Sequence, residues 1–325
     1  MNRSFRPLLA TAAIFALAYI AAVSQYPAMF STRVMGNLLT DNAFLGIAAV
    51  GMTFVILSGG IDLSVGAVIG FTTVLIAVLI TWGGLHPLLA FAIALGVAGL
   101  FGAAMGAMIH YLRVPSFIVT LAGMFLARGA ASVLSPDSIG IKHEFYTTVS
   151  RSYILLPGGG RLTVVAMILL AVFVFGIVLA HRTRFGSYVY ALGGSETSAG
   201  LMGVPVARTT VLIYTLSSVL AGLAGVVFSL YTSAGYSLSA LGVELDAIAA
   251  VVIGGTLLTG GYGFVAGTFI GVMLQGLVQT YIVFDGSLSS WWTKIVIGGL
   301  LFMFILLQRL IYRAGPRRKK GIWKT

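Results

Sequence analysis

The chain reads as an all-α, polytopic integral membrane protein of about ten transmembrane helices with an internal repeat. Composition comes first: of 325 residues, 59% are hydrophobic, 8% are charged and 42 are glycine, a balance that cannot clothe a soluble globule in polar surface. Second, apolar runs long enough to cross a bilayer, about 20 residues each, recur along the whole chain. Third, a glycine-punctuated stretch near the N-terminus returns near the C-terminus in the same register. The net charge of +11 and pI near 10.1 do not indicate nucleic acid, because the cations are spread out rather than interleaved with aromatics in one patch. The chain has no cysteine, which excludes disulfides, thiol catalysis and thiolate metal sites. His86, His110, His143 and His181 lack ligand spacing, so no metal site is expected.

In chain order the expected spans are 7–26, 42–59, 61–81, 87–109, 114–135, 161–181, 209–231, 245–261, 263–284 and 291–312. An even number places both termini on one side. Arg3, Arg6, Arg113, Arg182, Arg184, Arg208, Arg309, Arg313 and the tail cations Arg317, Arg318, Lys319, Lys320 and Lys324 then fall together, against Arg33, Lys142, Arg151, Arg161 and Lys294 opposite. The richer side is cytoplasmic by the positive-inside rule. The first segment, although followed by small residues at Ala21–Ala22, reads as an uncleaved anchor rather than a signal peptide. Residues 1–312 thus form a single membrane domain and 313–325 a basic cytoplasmic tail. The loop from 136 to 160 is the longest outer segment and a landing surface for an extracytoplasmic partner.

The stretch 182–208 is the one long polar segment on the inner side. A helix of two turns, about 10 Å long, is legible inside it. Ser195 supplies the N-cap oxygen and Glu196 places an anion in the first turn; Gly203 offers a left-handed stop and Pro205 forbids continuation. So short a helix has too little apolar face to form a core, which leaves docking onto a partner or lying on lipid.

The repeat aligns Ile47-Ala48-Ala49-Val50 with Ile248-Ala249-Ala250-Val251, Gly59-Gly60 with Gly260-Gly261, and Gly66 through Gly70 with Gly267 through Gly271. Each copy, 45–71 and 246–272, holds two apolar segments hinged at a glycine pair and followed by a small-xxx-small face that permits close helix approach. Duplicated halves with glycine-broken helices are transporter architecture; repeated glycine-rich packing in a large bundle is the plainer alternative. The span count makes the two copies parallel; one span fewer or more between them would make them inverted.

All eight acidic residues fall at expected span ends, hinges or loops, with no carboxylate at a span centre, which argues against proton or sodium coupling. Arg128, well inside a span, is read as snorkelling outward, the alternative being bonds to backbone carbonyls. No GxxxxGK[ST] and no GxSxG exists, so the chain neither binds ATP through a P-loop nor resembles a hydrolase. Neutral groups remain for a polar solute: Asn42 and Thr53 in the second span, and Gln275 and Gln279 one turn apart on the face of Gly267 and Gly271. Gluing helices together is the competing role for each.

The run Ser58-Gly59-Gly60-Ile61-Asp62-Leu63-Ser64-Val65-Gly66, the loop Tyr190-Ala191-Leu192-Gly193-Gly194 with Gly203-Val204, and Glu244 through Thr256 resemble the bacterial ribose-type ABC sugar importer permeases over nearly the whole chain. Around Leu288-Ser289-Ser290-Trp291-Trp292-Thr293-Lys294 the likeness is to a permease of galactofuranose importers. Ser195 departs from the Asn of many relatives, but either residue caps a helix. The resemblance implies an inner-membrane permease dimer, cytoplasmic ATPases that bind ATP and Mg, and a periplasmic sugar-binding protein. It implies no cofactor in this chain. Gly193, Gly194, Ser195, Glu196, Ala199 and Gly203 would then form the ATPase-coupling helix, and Gly59, Gly60, Gly260 and Gly261 the hinges. A stand-alone facilitator and a purely structural subunit are the rivals.

Overall fold

The computed structural model describes residues 6–289 and 291–313. The basic tail expected at 313–325 therefore lies outside the described residues apart from Arg313. Among the described residues six helices are long and apolar enough to cross a membrane: α1 (Arg6–Gln25), α5 (Pro87–Tyr111), α6 (Ser116–Leu134), α8 (Val164–Arg182), α11 (Val206–Thr232) and α13 (Val265–Asp285). The pair α2 (Thr32–Asp41) and α3 (Ala43–Leu57), bent by 56° at its break, is long and apolar enough only when taken together, as a broken span or a re-entrant loop. The remaining helices are shorter or outside the apolar bundle, except α14 (Trp291–Arg313), which begins the last expected span.

Three expected spans need correction. The segments 42–59 and 61–81 are not continuous helices, because residues 58–64 are non-helical and α3 keeps 15 residues while α4 (Val65–Thr81) keeps 17. The segment 245–261 shrinks further, to the 11-residue α12 (Val243–Ile253). At 1.5 Å per residue that helix is about 17 Å long, roughly half a hydrocarbon core. The cause is the Gly254–Gly255 pair, where Gly255 takes φ 92° and the ladder ends.

The helices pack around α11, whose buried face meets α5, α3 and α4. Small residues let backbones touch: a Cβ on Gly102 would lie 2.6 Å from Ser218 Cβ, and one on Gly106 2.7 Å from Val211 Cα. Without hydrophobic drive between helices in lipid, this close packing supplies the association energy. Thr11 of α1 donates to the Ile253 carbonyl at 2.8 Å, tying the first helix to the end of α12.

Two ends can be distinguished. The upper end carries α2, α7 (Glu144–Arg151) and two small ribbons. One ribbon pairs β1 (Ile139–Gly140) with β4 (Ala234–Gly235); the other pairs β2 (Tyr153–Leu155) with β3 (Arg161–Thr163). The lower end carries α9 (Arg184–Gly194) and α10 (Glu196–Leu201), and the turns that follow α3 and α12. Both repeat copies run downward to these turns, since the Gly261 N–H donates to the Leu57 carbonyl at 2.8 Å and a Cβ on Gly260 would lie 2.7 Å from Gly59 N. The copies are parallel.

Candidate functional site

Two constellations stand out, one at each end. At the lower end, local sequence builds an elbow between α9 and α10. Thr183 caps α9 by accepting from the Gly186 N–H at 3.2 Å, and Ser195 caps α10 by accepting from the Ser198 N–H at 3.2 Å. Gly203 then takes φ 83° ahead of Pro205. The capped helix is thus present over six residues, while α9, which precedes it, was hidden from the sequence reading inside a stretch taken as loop.

The elbow seats directly on the two repeat turns. Gly59, Gly260 and Gly261 all have positive φ, at 84°, 80° and 73°, whereas Gly60 does not. A Cβ on Gly260 would lie 3.0 Å from Gly193 Cα, and one on Gly261 3.0 Å from Gly194 N. A Cβ on Gly193 would strike the Leu57 carbonyl and the Gly261 nitrogen. These glycines therefore make a junction in which three backbone segments touch with no side chain between them. In the second copy the helix itself breaks earlier, at Gly254–Gly255, so Gly260–Gly261 forms the turn and not the helix break. Side chains lock the seat: the Tyr190 hydroxyl donates to the Gly263 carbonyl at 2.7 Å, and His181 stacks on Tyr190 with ring centroids 6.1 Å apart.

Within α10, Ala199 is fully buried and faces inward, while Leu201 and Met202 are 87% and 73% exposed. That apolar tip escaped the sequence reading; hydrophobic residues just before a glycine stop were the available signal. Beside the elbow opens a cleft of about 680 Å³ lined by Gly60, Arg113, Ser116, Leu192, Glu196 and Tyr214, among others.

At the upper end a second cavity of about 560 Å³ is lined in part by Asn42, Gln275 and Gln279, which places three of the four candidate path residues around one space. Asn42 and Gln275 are buried in its wall: the Asn42 amide donates to the Leu38 carbonyl at 2.9 Å, and Gln275 Nε2 to the Asp246 carbonyl at 3.0 Å. Gln279 is exposed. Thr53 is elsewhere. It is fully buried between α3 and α13, donating to the Ala49 carbonyl at 2.7 Å and sharing a 2.8 Å bond with Thr268, the geometry of the helix-gluing alternative.

One further expectation sharpens and another changes. Asp62 is fully buried at 0% exposure in the break between α3 and α4, where it accepts from Ser64 N–H at 2.9 Å, Ser64 Oγ at 2.6 Å and Ser217 Oγ at 2.8 Å. Asp62 lies in a hinge, as expected of the acidic residues, but because Ser217 lies midway along α11 this hinge is inside the bundle and not at its surface. Its three hydrogen bonds make it a structural fastener. Arg128 does not snorkel; its Nη1 donates to the Ser237 and Ser239 carbonyls in the segment leading into α12. Among the described residues no cluster of His, Cys, Asp or Glu could hold a metal ion.

Comparison with known proteins matches residues 34–305 to the family of branched-chain amino acid transport system permease components. The chain is 61% identical over 303 residues to the inner membrane ABC transporter permease protein YjfF of Escherichia coli K12, covering 93% of this chain and 92% of that one. It is 38% identical over 325 residues to the fructose import permease protein FruG of Bifidobacterium longum, covering 98% and 95%. It is 36% identical over 298 residues to the ribose import permease protein RbsC of E. coli K12, covering 90% of each. No solved structure matches. The multi-pass helical bundle is accordingly a transport subunit and not an enzyme, with ATP hydrolysis carried by a separate subunit. The chain belongs to the branched-chain amino acid transport system permease component family of ABC transporter membrane subunits.

Proposed function

We propose that the chain is the membrane permease of an ATP-driven monosaccharide importer, worked by force delivered through the α9–α10 elbow. The observation that carries this reading is the glycine junction, where the elbow abuts the turns of both repeat copies at once. A push on α10 passes into Gly193–Gly194 at the end of α9, which meet Leu57 and Gly260–Gly261 with no side chain between, so it reaches both turns together. Leu201 and Met202 are the surface offered to the ATPase. Relatives named for fructose, ribose and xylose import support a monosaccharide as cargo. The motif at 288–294 supports galactofuranose within that class, pairing with a related permease in a heterodimer, and a periplasmic sugar-binding protein on the upper end. The distribution of cations supports cytoplasmic termini.

Purification in mild detergent followed by mass spectrometry tests the reading: an ABC ATPase is expected to copurify with the native chain. Leu201→Asp, which adds a desolvated charge at the docking tip, is expected to weaken that association at least tenfold while leaving the thermal melting of the permease unchanged. Retention of the ATPase by the variant, or uptake by the purified chain alone in liposomes without ATP, overturns it, the latter in favour of a facilitator.

A further inference from the structure

The upper cavity holds more chemistry than the amides that drew attention to it. Asp41 at the end of α2 accepts from the Tyr231 hydroxyl at 3.0 Å, and Lys294 of α14 holds both oxygens of Asp246 at 2.7 and 2.6 Å. Gln279 and Trp291 also face the space, with Trp291 76% exposed, and the rest of the lining is mostly apolar. These groups come from five helices, α2, α11, α12, α13 and α14, and converge on one space. At about 560 Å³ the space lies within the roughly 300–1,000 Å³ of small-molecule sites.

We propose that this cavity is a low-affinity subsite in which the permease itself reads a neutral, polyhydroxylated ring, a deepening that rests on the importer reading above. The donor set selects the class. A carboxylate offers about four acceptor positions, and Tyr231 uses one of those on Asp41, so the rest take hydroxyl donors from a ligand. The Gln279 amide adds both a donor and an acceptor, and the Trp291 face covers an apolar ring surface. An anionic ligand is disfavoured, because the site carries two carboxylates and its one lysine is already engaged by Asp246. A zwitterionic amino acid, which the family description would suggest, meets the same difficulty at its carboxylate.

The wild-type chain has no cysteine, so a single introduced thiol reports the cavity without background. The experiment follows the rate at which a small polar thiol reagent labels Val283→Cys, on the lining and 73% exposed, in the purified full-length chain. The rate is measured alone and with D-ribose, D-xylose, D-fructose, D-galactose or L-leucine at about 100 mM. A dissociation constant of about 10 mM leaves about one site in ten free at that concentration, so at least one sugar is expected to slow labelling about tenfold. Adding Asp41→Asn and Tyr231→Phe is expected to abolish that protection. Should Val283→Cys not be recovered folded, Thr293→Cys, also on the lining, serves the same purpose. The proposal is overturned if no sugar slows labelling at either position, if leucine does so instead, or if protection survives the double substitution. None of these outcomes depends on an ATPase being present, so this test and that of the importer reading fail separately.

Discussion

In the first repeat copy α3 keeps 15 residues and the chain beyond it is fastened by Asp62, which is fully buried and accepts three hydrogen bonds from Ser64 and Ser217. In the second copy α12 stops after 11 residues, and the tie that matters comes from outside: Arg128 on α6 grips two carbonyls of the segment leading into α12. The copies also differ in what they leave unsatisfied. Among the described residues, the second leaves one hydroxyl, Thr256 Oγ1, buried without a hydrogen bond, while Thr72 Oγ1 and Glu244 Oε2 are likewise unbonded just outside the first and second copies. Buried polar atoms without partners destabilise the arrangement that holds them, charged ones most. The first copy is thus fastened by a carboxylate of its own, and the second mainly by residues of other helices, Thr11, Gln275 and Lys294; the second also borders the upper cavity through Asp246.

The contrast can be broken most forcefully at Asp62. Asp62→Ala orphans the Ser64 N–H and the Ser217 hydroxyl, and is expected to destabilise the permease by about 3 kcal/mol or more, read as a drop in the detergent melting temperature. A melt within error of wild type would show that the first copy is not the anchored one. Arg128→Leu removes two bonds from a charged donor, each worth about 1.5–3 kcal/mol. Amide exchange is expected to accelerate more than tenfold across residues 236–242 while residues 58–64 keep their protection; equal acceleration in both would erase the asymmetry. The smallest effect is expected at Thr53→Val, which removes a fastener common to both copies through Thr268 and costs about 0.6 kcal/mol on the scale of interhelical hydrogen bonds in membranes. A cost several times larger would mean that the α3–α13 seam, and not the Asp62 cluster, anchors the bundle.

How far the sequence spoke depends on how local the determinant was. The α10 helix was legible because Ser195 and Gly203 act on their own neighbours, and the structure shows both in those conformations. The repeat was legible because glycine identity survives wherever backbones must touch. The depth of Asp62 was not, since hydropathy sees only a polar residue between two apolar runs, and whether residues 58–64 leave the bundle or turn back into it is decided by Ser217, far along the chain. The shortness of α12 had a visible cause in Gly254–Gly255, but an apolar run continuing to 261 masked it. The upper cavity was half legible: Gln275 and Gln279 mark it as a pair on one helix face, while Asp41, Tyr231, Asp246 and Lys294 sit near helix ends, where polar residues are ordinary.

The bare backbone meeting of Gly59, Gly193 and Gly260 has a mechanical corollary. Side chains are compliant, because rotamers flip and methyl groups slide, so a joint built from them absorbs small strokes before passing any on. Peptide planes are stiff, and planes in van der Waals contact leave no slack to be taken up. Such a bearing converts even a short stroke into simultaneous displacement of both halves, and replacing Gly193 by any larger residue would introduce backlash as well as bulk.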